Sequence, residues 1–353
     1  MTQTAPSPLL EAPGAVADDA GRVAAHYGRP LVEQREAAET GAVFDRSDRE
    51  IISVTGAPRL EWLHSLSTQH LTSLRPHQGT QTLFLSPTGR IEHHANVYDD
   101  GETAWLDTEP GAGEALLKFL ELMKFRTEVD IRDATGEWAL VTYTAVEAPQ
   151  DDSLGAPLVR KAPPPKFAAK DVPPETTSRY PGGELDGGDG WTRRTDSLGV
   201  PTYDVLLRRG EVAARFGERT LAGNWAFDAL RVAAGVPRFG VDTDDKTVPH
   251  EIPAWLDAAV HLEKGCYRGQ ETVSKVHHLG QPPRRLVQLH LDGTDEHPPA
   301  PGTPVERDGK AVGSIGTAVQ HYEQGQIALA LLKRAVAEDP EAKLTAGGQA
   351  AGR

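Results

Sequence analysis

The chain has 353 residues, enough for two or three domains, and 38% of them are hydrophobic, an ordinary globular value. With 37 Lys and Arg against 51 Asp and Glu the net charge is −14, which disfavours a broad nucleic-acid or anionic-membrane surface and leaves room only for a local basic pocket. The single cysteine, Cys266, excludes an internal disulfide and suits a reducing compartment. Apolar runs such as Ile327–Leu332 are far shorter than the ~20 residues that span a bilayer. The first twenty residues carry Glu11, Asp18 and Asp19 but no Lys or Arg, unlike a secretory signal or transit peptide, so a soluble cytoplasmic protein is expected.

Residues up to about Gly21 lack apolar periodicity and read as a disordered tail. Ile51, Ile52 and Val54 predict a strand ended by Gly56, and Leu60, Leu63 and Leu66 a helix after it. Thr80–Leu85 and Ile91–Tyr98 read as strands joined by the turn Ser86-Pro87-Thr88-Gly89, with Ile91, His93, Ala95 and Val97 on one face. A strand at Thr103–Leu106, a helix over Gly113–Lys124, and strands at Val129–Ile131 and Trp138–Tyr143 follow. From Val146 to Trp191 Pro- and Gly-rich sequence predicts a mobile insertion without a core. Thr202–Leu207 then predicts a strand, and Ala222–Ala234 a helix stopped by Gly235 and Pro237. Beyond Leu286, short strands at Leu286–Leu291, Val305–Arg307, Lys310–Val312, Ile315–Val319 and Ile327–Leu332 predict a small antiparallel barrel. The class is α+β, because hairpins and helices mix without βαβ alternation. The expected division is a tail (1–30), an α+β region (31–145), the insertion (146–195), a second α+β region (196–283), a barrel (284–345) and a tail (346–353).

Chemistry concentrates in Lys264-Gly265-Cys266-Tyr267-Arg268-Gly269-Gln270-Glu271. The lone cysteine lies between glycines that permit positive φ and close approach, two residues from Lys264 and two from Arg268. Val273 and Val276 predict a helix over Gln270–Leu279 ending at Gly280, so Cys266 is expected shortly before a helix N-terminus. Nearby cations and the positive helix end favour a thiolate there, against the alternative of a cysteine packed under a turn. A resident iron–sulfur cluster needs about four thiolate-type ligands. Zinc on Cys266, His277 and His278 is disfavoured because adjacent helical histidines diverge by ~100°. A Cys-His hydrolase with His277, His278 or His250 as base stays open at this stage. Arg231, Arg238 and Asp242, with Pro249-His250-Glu251, are candidates for an anion-binding pocket.

These stretches together resemble the YgfZ-like branch of the glycine-cleavage T-protein superfamily, whose pattern K-G-C-Y-x-G-Q-E is matched in full by residues 264–271. Leu230-Arg231…Gly235-Val236-Pro237, the Gly89-Arg90-Ile91 hairpin and Pro301-Gly302-Thr303-Pro304-Val305 add order and spacing. The resemblance implies a three-domain ring around a channel for a reduced folate, tetrahydrofolate or a derivative, closed by the C-terminal barrel. It also implies service to iron–sulfur proteins, chiefly [4Fe–4S] clients or their carriers, and to the tRNA thiomethylation that depends on them; separately, a monomer is the default expectation. Cys266 would be the functional thiol, and Lys264, Tyr267, Arg268, Gln270 and Arg231 would bind the cofactor, Lys264 attracting the folate glutamate tail. Two departures separate the chain from aminomethyltransferases: His93-His94 stands where they carry an Asp-Asp pair, and Ala233 where R-x-E-A-G supplies a pterin-binding glutamate. The alternatives are a tetrahydrofolate-dependent C1 transferase or demethylase, and a non-catalytic scaffold for cluster carriers.

Overall fold

In the computed structural model, residues 5–145 and 179–353 are described. A ribbon of β1 (Val16–Ala17) and β2 (Ala24–His26) precedes helix α1 (Pro30–Glu39) and strands β3 (Val43–Arg46) and β4 (Glu50–Thr55). Helix α2 (Arg59–Leu66), the hairpin β5 (Gln78–Leu85)–β6 (Ile91–Asp99), β7 (Thr103–Thr108), α3 (Gly113–Met123), β8 (Asp130–Asp133) and β9 (Trp138–Thr144) follow. After the undescribed segment come β10 (Tyr180–Glu184), β11 (Gly190–Arg194), β12 (Thr202–Arg208), α4 (Val212–Phe216), β13 (Leu221–Ala222), α5 (Asn224–Ala233), α6 (Pro253–Ala259) and α7 (Gln270–Leu279). The last part holds β14 (Arg284–Leu291), β15 (Pro304–Arg307), β16 (Lys310–His321), β17 (Gly325–Lys333), α8 (Arg334–Ala337), β18 (Leu344–Ala346) and β19 (Gln349–Gly352).

Strands β3 to β13 form one eleven-stranded sheet in the order β13-β3-β9-β12-β11-β10-β5-β6-β7-β4-β8. Its two halves meet where Tyr180 pairs with Gly79 and Pro181 with Gln78. Strands β14 to β19 close a separate six-stranded barrel. The α+β class with a small antiparallel barrel is therefore as expected. Asp308 and Gly309 both take positive φ (53° and 71°), the backbone that a two-residue hairpin of right-handed twist demands.

Several boundaries differ from the expectation, each through long-range contact. The supposed N-terminal tail is folded over its described part: Leu9 is buried in one cluster with Val205, Leu207 and Phe216. Of the supposed insertion, 146–178 lies outside the described residues, and the remainder supplies β10 and β11, which join the half-sheets. The supposed C-terminal tail holds β19, which pairs with β18 and β14 and shuts the barrel. The two strands expected at Lys310–Val312 and Ile315–Val319 are one strand, interrupted by a bulge between Ile315 and Ala318. A second bulge, opposite Phe84/Leu85, breaks the alternation of β6 at Glu92. Ile91 consequently packs with Leu83 and Leu85, while Ala95 and Val97 pack with Phe84 on the other side of the sheet.

One cluster fuses the parts of the molecule. Leu83, Leu85 and Ile91 of the hairpin meet Trp255 of α6, Tyr267 and Val273 around α7, and Leu286, Ile327, Leu329 and Leu331 of the barrel. No stretch of sequence holds enough of these residues to form the cluster alone, so the site above it exists only in the assembled fold.

Candidate functional site

The 264–271 motif is a joint between halves of the chain. Gly269 caps α7 with φ +81°, and a Cβ there would stand 2.5 Å from Ser86 O and 3.0 Å from Gly89 Cα. Gly89, at φ +78°, would in turn drive a Cβ to 2.5 Å from Thr272 Cβ. The hairpin turn and the start of α7 thus touch backbone to backbone, which only glycine permits. Gly265 has open space around it and no positive φ, so of the two motif glycines only Gly269 is required sterically.

Lys264 is buried, 4% exposed, and its ammonium donates to the carbonyls of His64, Ser67 (2.5 Å) and Gln69 (3.1 Å). His64 O belongs to the last turn of α2, whose carbonyls lack partners within the helix, so Lys264 caps that helix from 200 residues away in sequence. Burial pulls the ammonium down to about 7. Tyr267 is buried beneath it, its ring centre 5.0 Å from Nζ, and burial pushes the phenol up to about 12. Arg268 pairs with Glu92 at 2.8 Å, and Gln270 Nε2 donates to Lys264 O at 3.1 Å. Cys266 is an exposed free thiol three residues ahead of the α7 cap. Both flanking cations are committed elsewhere, Lys264 to carbonyls and Arg268 to Glu92, which corrects the expectation of two cations acting on the sulfur.

A cavity lies at the junction of the half-sheets, α5, α6 and the 236–238 loop. Its wall is a lattice of ion pairs. Arg49 Nε donates to Asp107 (2.8 Å) and its Nη1 to Glu109 (2.5 Å); Arg193 bridges Asp107 (2.6 Å) and Asp204 (2.9 Å). Arg238 reaches Glu109 at 3.0 Å, and Arg231 binds Asp228 (2.6 Å), Asp242 (3.0 Å) and Thr317 Oγ1 (2.5 Å). Asp242 also accepts the Thr317 amide at 2.6 Å, at the bulge of β16, so this lattice seats the barrel. Burial opposes charge on Asp107 and Glu109, but Arg193, Arg49 and Arg238 outweigh it and hold both well below the usual carboxylate range. These carboxylates are anions locked to guanidinium groups and do not serve as proton acceptors near neutral pH.

His94 enters the cavity from β6. It stacks on Trp255 with centroids 4.5 Å apart and an angle of 14°, and its Nε2 lies 3.0 Å from Gln81 Oε1. Gln81 passes the chain on to the Tyr180 hydroxyl. His93 points away, between Phe84 and Phe119. Burial presses both imidazoles down to about 4, with Arg268 adding at His93 and Arg49 at His94, so both are neutral at physiological pH. The side that would hold a carboxylate in an aminomethyltransferase thus presents a neutral, stacked imidazole.

Of the residues expected to bind a cofactor, Arg231 lines the cavity, and Lys264, Tyr267, Arg268 and Gln270 do not. Arg238 joins Arg231 in the wall; His250 instead lies 6.0 Å from His277, and Glu251 binds Arg284 at 2.8 Å. Among the described residues no group of three His, Cys, Asp or Glu is placed to hold a metal ion. Sequence reasoning missed Arg46, Arg49, Gln81, Asp107, Glu109, Arg193, Asp204 and Trp255. The available signal was polar residues set within strand sequence, Asp45-Arg46-Ser47-Asp48-Arg49 and Asp107-Thr108-Glu109, all of them buried.

The fold, two fused half-sheets with a closed barrel docked on them, is that of the glycine-cleavage T-protein. The aminomethyltransferase T of Bartonella henselae superposes with a TM-score of 0.74 at 18% identity, over 96% of this chain and 92% of that one. Residues 284–352 match the CAF17 C-terminal beta-barrel domain. The resemblance expected from the motif, to the YgfZ-like branch of that superfamily, is borne out. Among curated proteins the chain is similar to an aminomethyltransferase of Geobacillus kaustophilus, 29% identical over 321 residues, 87% of this chain and 83% of that protein. It is also similar to the mitochondrial iron–sulfur cluster assembly factor IBA57 homolog of Neosartorya fischeri, 26% identical over 270 residues, 69% of this chain and 56% of that protein. A chloroplast protein of Arabidopsis thaliana classed as a transferase is 27% identical over 293 residues, 80% of this chain, which spans 63% of its length. No helix among the described residues is long and apolar enough to cross a membrane.

Proposed function

We propose that the protein is an accessory factor for assembly or repair of iron–sulfur proteins, chiefly of the [4Fe–4S] type, which binds a reduced folate in the central cavity and acts through Cys266. The observation that carries the reading is the placement of the thiol: it is exposed, yet its neighbour Tyr267 belongs to the same buried cluster as Trp255, which forms the cavity wall. Occupation of the cavity is thereby coupled by packing to the segment that presents the sulfur. Similarity to the IBA57 homolog supports cluster assembly as the task. Similarity to aminomethyltransferases supports folate as ligand. The Trp255–His94 pair offers an aromatic surface to such a ligand. Folate supplies a one-carbon carrier; in this chain His94 is neutral and the carboxylates are bound to arginine, so aminomethyl transfer to a lipoyl carrier is disfavoured. An exposed thiol outside the cavity suits a monomer that meets cluster-carrying or client proteins, in the cytoplasm, with tRNA thiomethylation among the dependent processes.

The test uses a strain lacking this gene, restored with the native chain or with Cys266→Ala. Activity of a [4Fe–4S] enzyme, normalised to its protein level, recovers with the native chain alone if the reading is right. Recovery with both would make the protein a scaffold without a functional thiol. No defect in the deletion strain would turn attention to folate turnover with methylated amines.

A further inference from the structure

Four arginines line the cavity, and three of them are saturated. Arg49, Arg231 and Arg238 each close on carboxylates within 3.0 Å. Arg46 does not. Its nearest carboxylate, Asp48, stands 3.9 Å from Nε, beyond hydrogen-bond reach, and both Nε and Asp48 Oδ1 are buried without a partner. The residue is only 5% exposed, and its guanidinium lies 3.9 Å from the centre of the Phe227 ring. Stacked in this way, a guanidinium keeps its N–H donors in the plane of the fork, free for an in-plane acceptor. Phe227 lines the same cavity, and so does the Trp255–His94 stack.

A buried guanidinium without a hydrogen-bonded anion is costly, and a fold keeps one only where something pairs with it. Asp48 compensates poorly, because burial pushes its carboxyl up despite Arg46 and so favours the uncharged form. A carboxylate arriving through the cavity accepts two parallel N–H bonds from Arg46 and replaces the missing partner.

We propose that Arg46, on its Phe227 platform, is the docking point for a carboxylate of the cavity ligand, which makes that ligand an aromatic or heteroaromatic carboxylic acid. The inference rests on the reading of this cavity as the ligand site and specifies which end of the ligand it holds. It assigns a role to Arg46 that Arg231, committed to seating the barrel, does not have.

Titration calorimetry on the full chain tests it, with 5-formyltetrahydrofolate, the same compound with both glutamate carboxylates converted to amides, and phthalate as a small aromatic dianion. Arg46→Met is expected to weaken 5-formyltetrahydrofolate about 10–100-fold, the range for a hydrogen bond to a charged group. Arg46→Lys, which keeps the charge but not the fork and guards against loss of fold, should fall in between. The diamide should bind native protein and Arg46→Met equally. Equal affinity of native protein and Arg46→Met for 5-formyltetrahydrofolate overturns the proposal and leaves folate binding standing; a water between Arg46 and Asp48 then satisfies both. If native protein binds no folate, the folate reading fails by itself. Arg46-dependent binding of phthalate would still uphold the carboxylate site, and its absence would overturn it.

Discussion

Replacing Lys264 by Met separates a structural from a ligand-binding lysine. The ammonium donates to three carbonyls, of His64, Ser67 and Gln69, and one of these ends helix α2. Hydrogen bonds to a charged group are worth ~1.5–3 kcal/mol each, which gives a gross loss of several kcal/mol. Removing a buried ammonium also relieves its desolvation, an effect of several kcal/mol with the opposite sign. Methionine fills most of the volume without a cavity, so packing against Tyr267 changes little. The net expectation is a loss of about 2–4 kcal/mol, concentrated where α2 meets residues 67–70. Hydrogen exchange resolved by residue is the suitable assay, because a chain of several parts need not unfold in two states. Amides at the end of α2 and in the 67–70 segment should exchange about 30–1,000 times faster, while those of the barrel stay protected. Affinity for a folate probe should change less than threefold, since Lys264 does not line the cavity. Unchanged exchange near α2 combined with a tenfold loss of affinity would refute the capping argument and restore Lys264 as a ligand cation.

Gly269→Ala adds a methyl 2.5 Å from Ser86 O at a φ of +81°. Backbone strain and overpacking together should cost ~2–5 kcal/mol, seen as a lowered unfolding midpoint, and a change under 0.5 kcal/mol would mean that the hairpin turn yields freely. Trp255→Ala removes a fully buried side chain and the His94 stack, so ~3–5 kcal/mol of stability and most of the affinity for an aromatic ligand should go together. Retained affinity would place the ligand elsewhere. For pH, His93 and His94 sit near 4 in the fold against an ordinary value near 6.5. Below that value the unfolded chain takes up protons that the fold refuses, so each histidine costs stability as pH falls, ~1.4 kcal/mol per unit until about 4. The buried acids Asp45 and Asp48, both pushed up, pull the other way. The difference between native protein and His94→Gln isolates the histidine, and parallel stability curves between pH 6.5 and 4.5 would contradict its burial as a neutral group.

Much of the chain's local structure is written in the sequence because it depends on near neighbours. Leucines at helical spacing place α2 and α3, Asp308-Gly309 shapes a hairpin, and Gly235 and Gly280 end helices through conformations open to glycine. The eight residues from Lys264 to Glu271 likewise carry the resemblance to the superfamily branch and hold the lone thiol, since a dense motif needs no partner to be recognised. The roles within it were decided by the tertiary structure. Lys264 and Arg268, each two residues from Cys266 in sequence, point respectively to α2 carbonyls and to Glu92, contacts separated by 176 residues or more. One extra residue in β6, at the Glu92 bulge, reverses which side of the sheet Ile91 faces, a change of phase that alternation alone cannot reveal. The cavity is the extreme case, its charges drawn from β3, β7, β11, β12, α5 and the loops beside them. A side chain's charge is local, but whether that charge is paired depends on what the fold brings opposite it. That is why Arg49 and Arg46, three residues apart, end as a saturated strut and an open anchor.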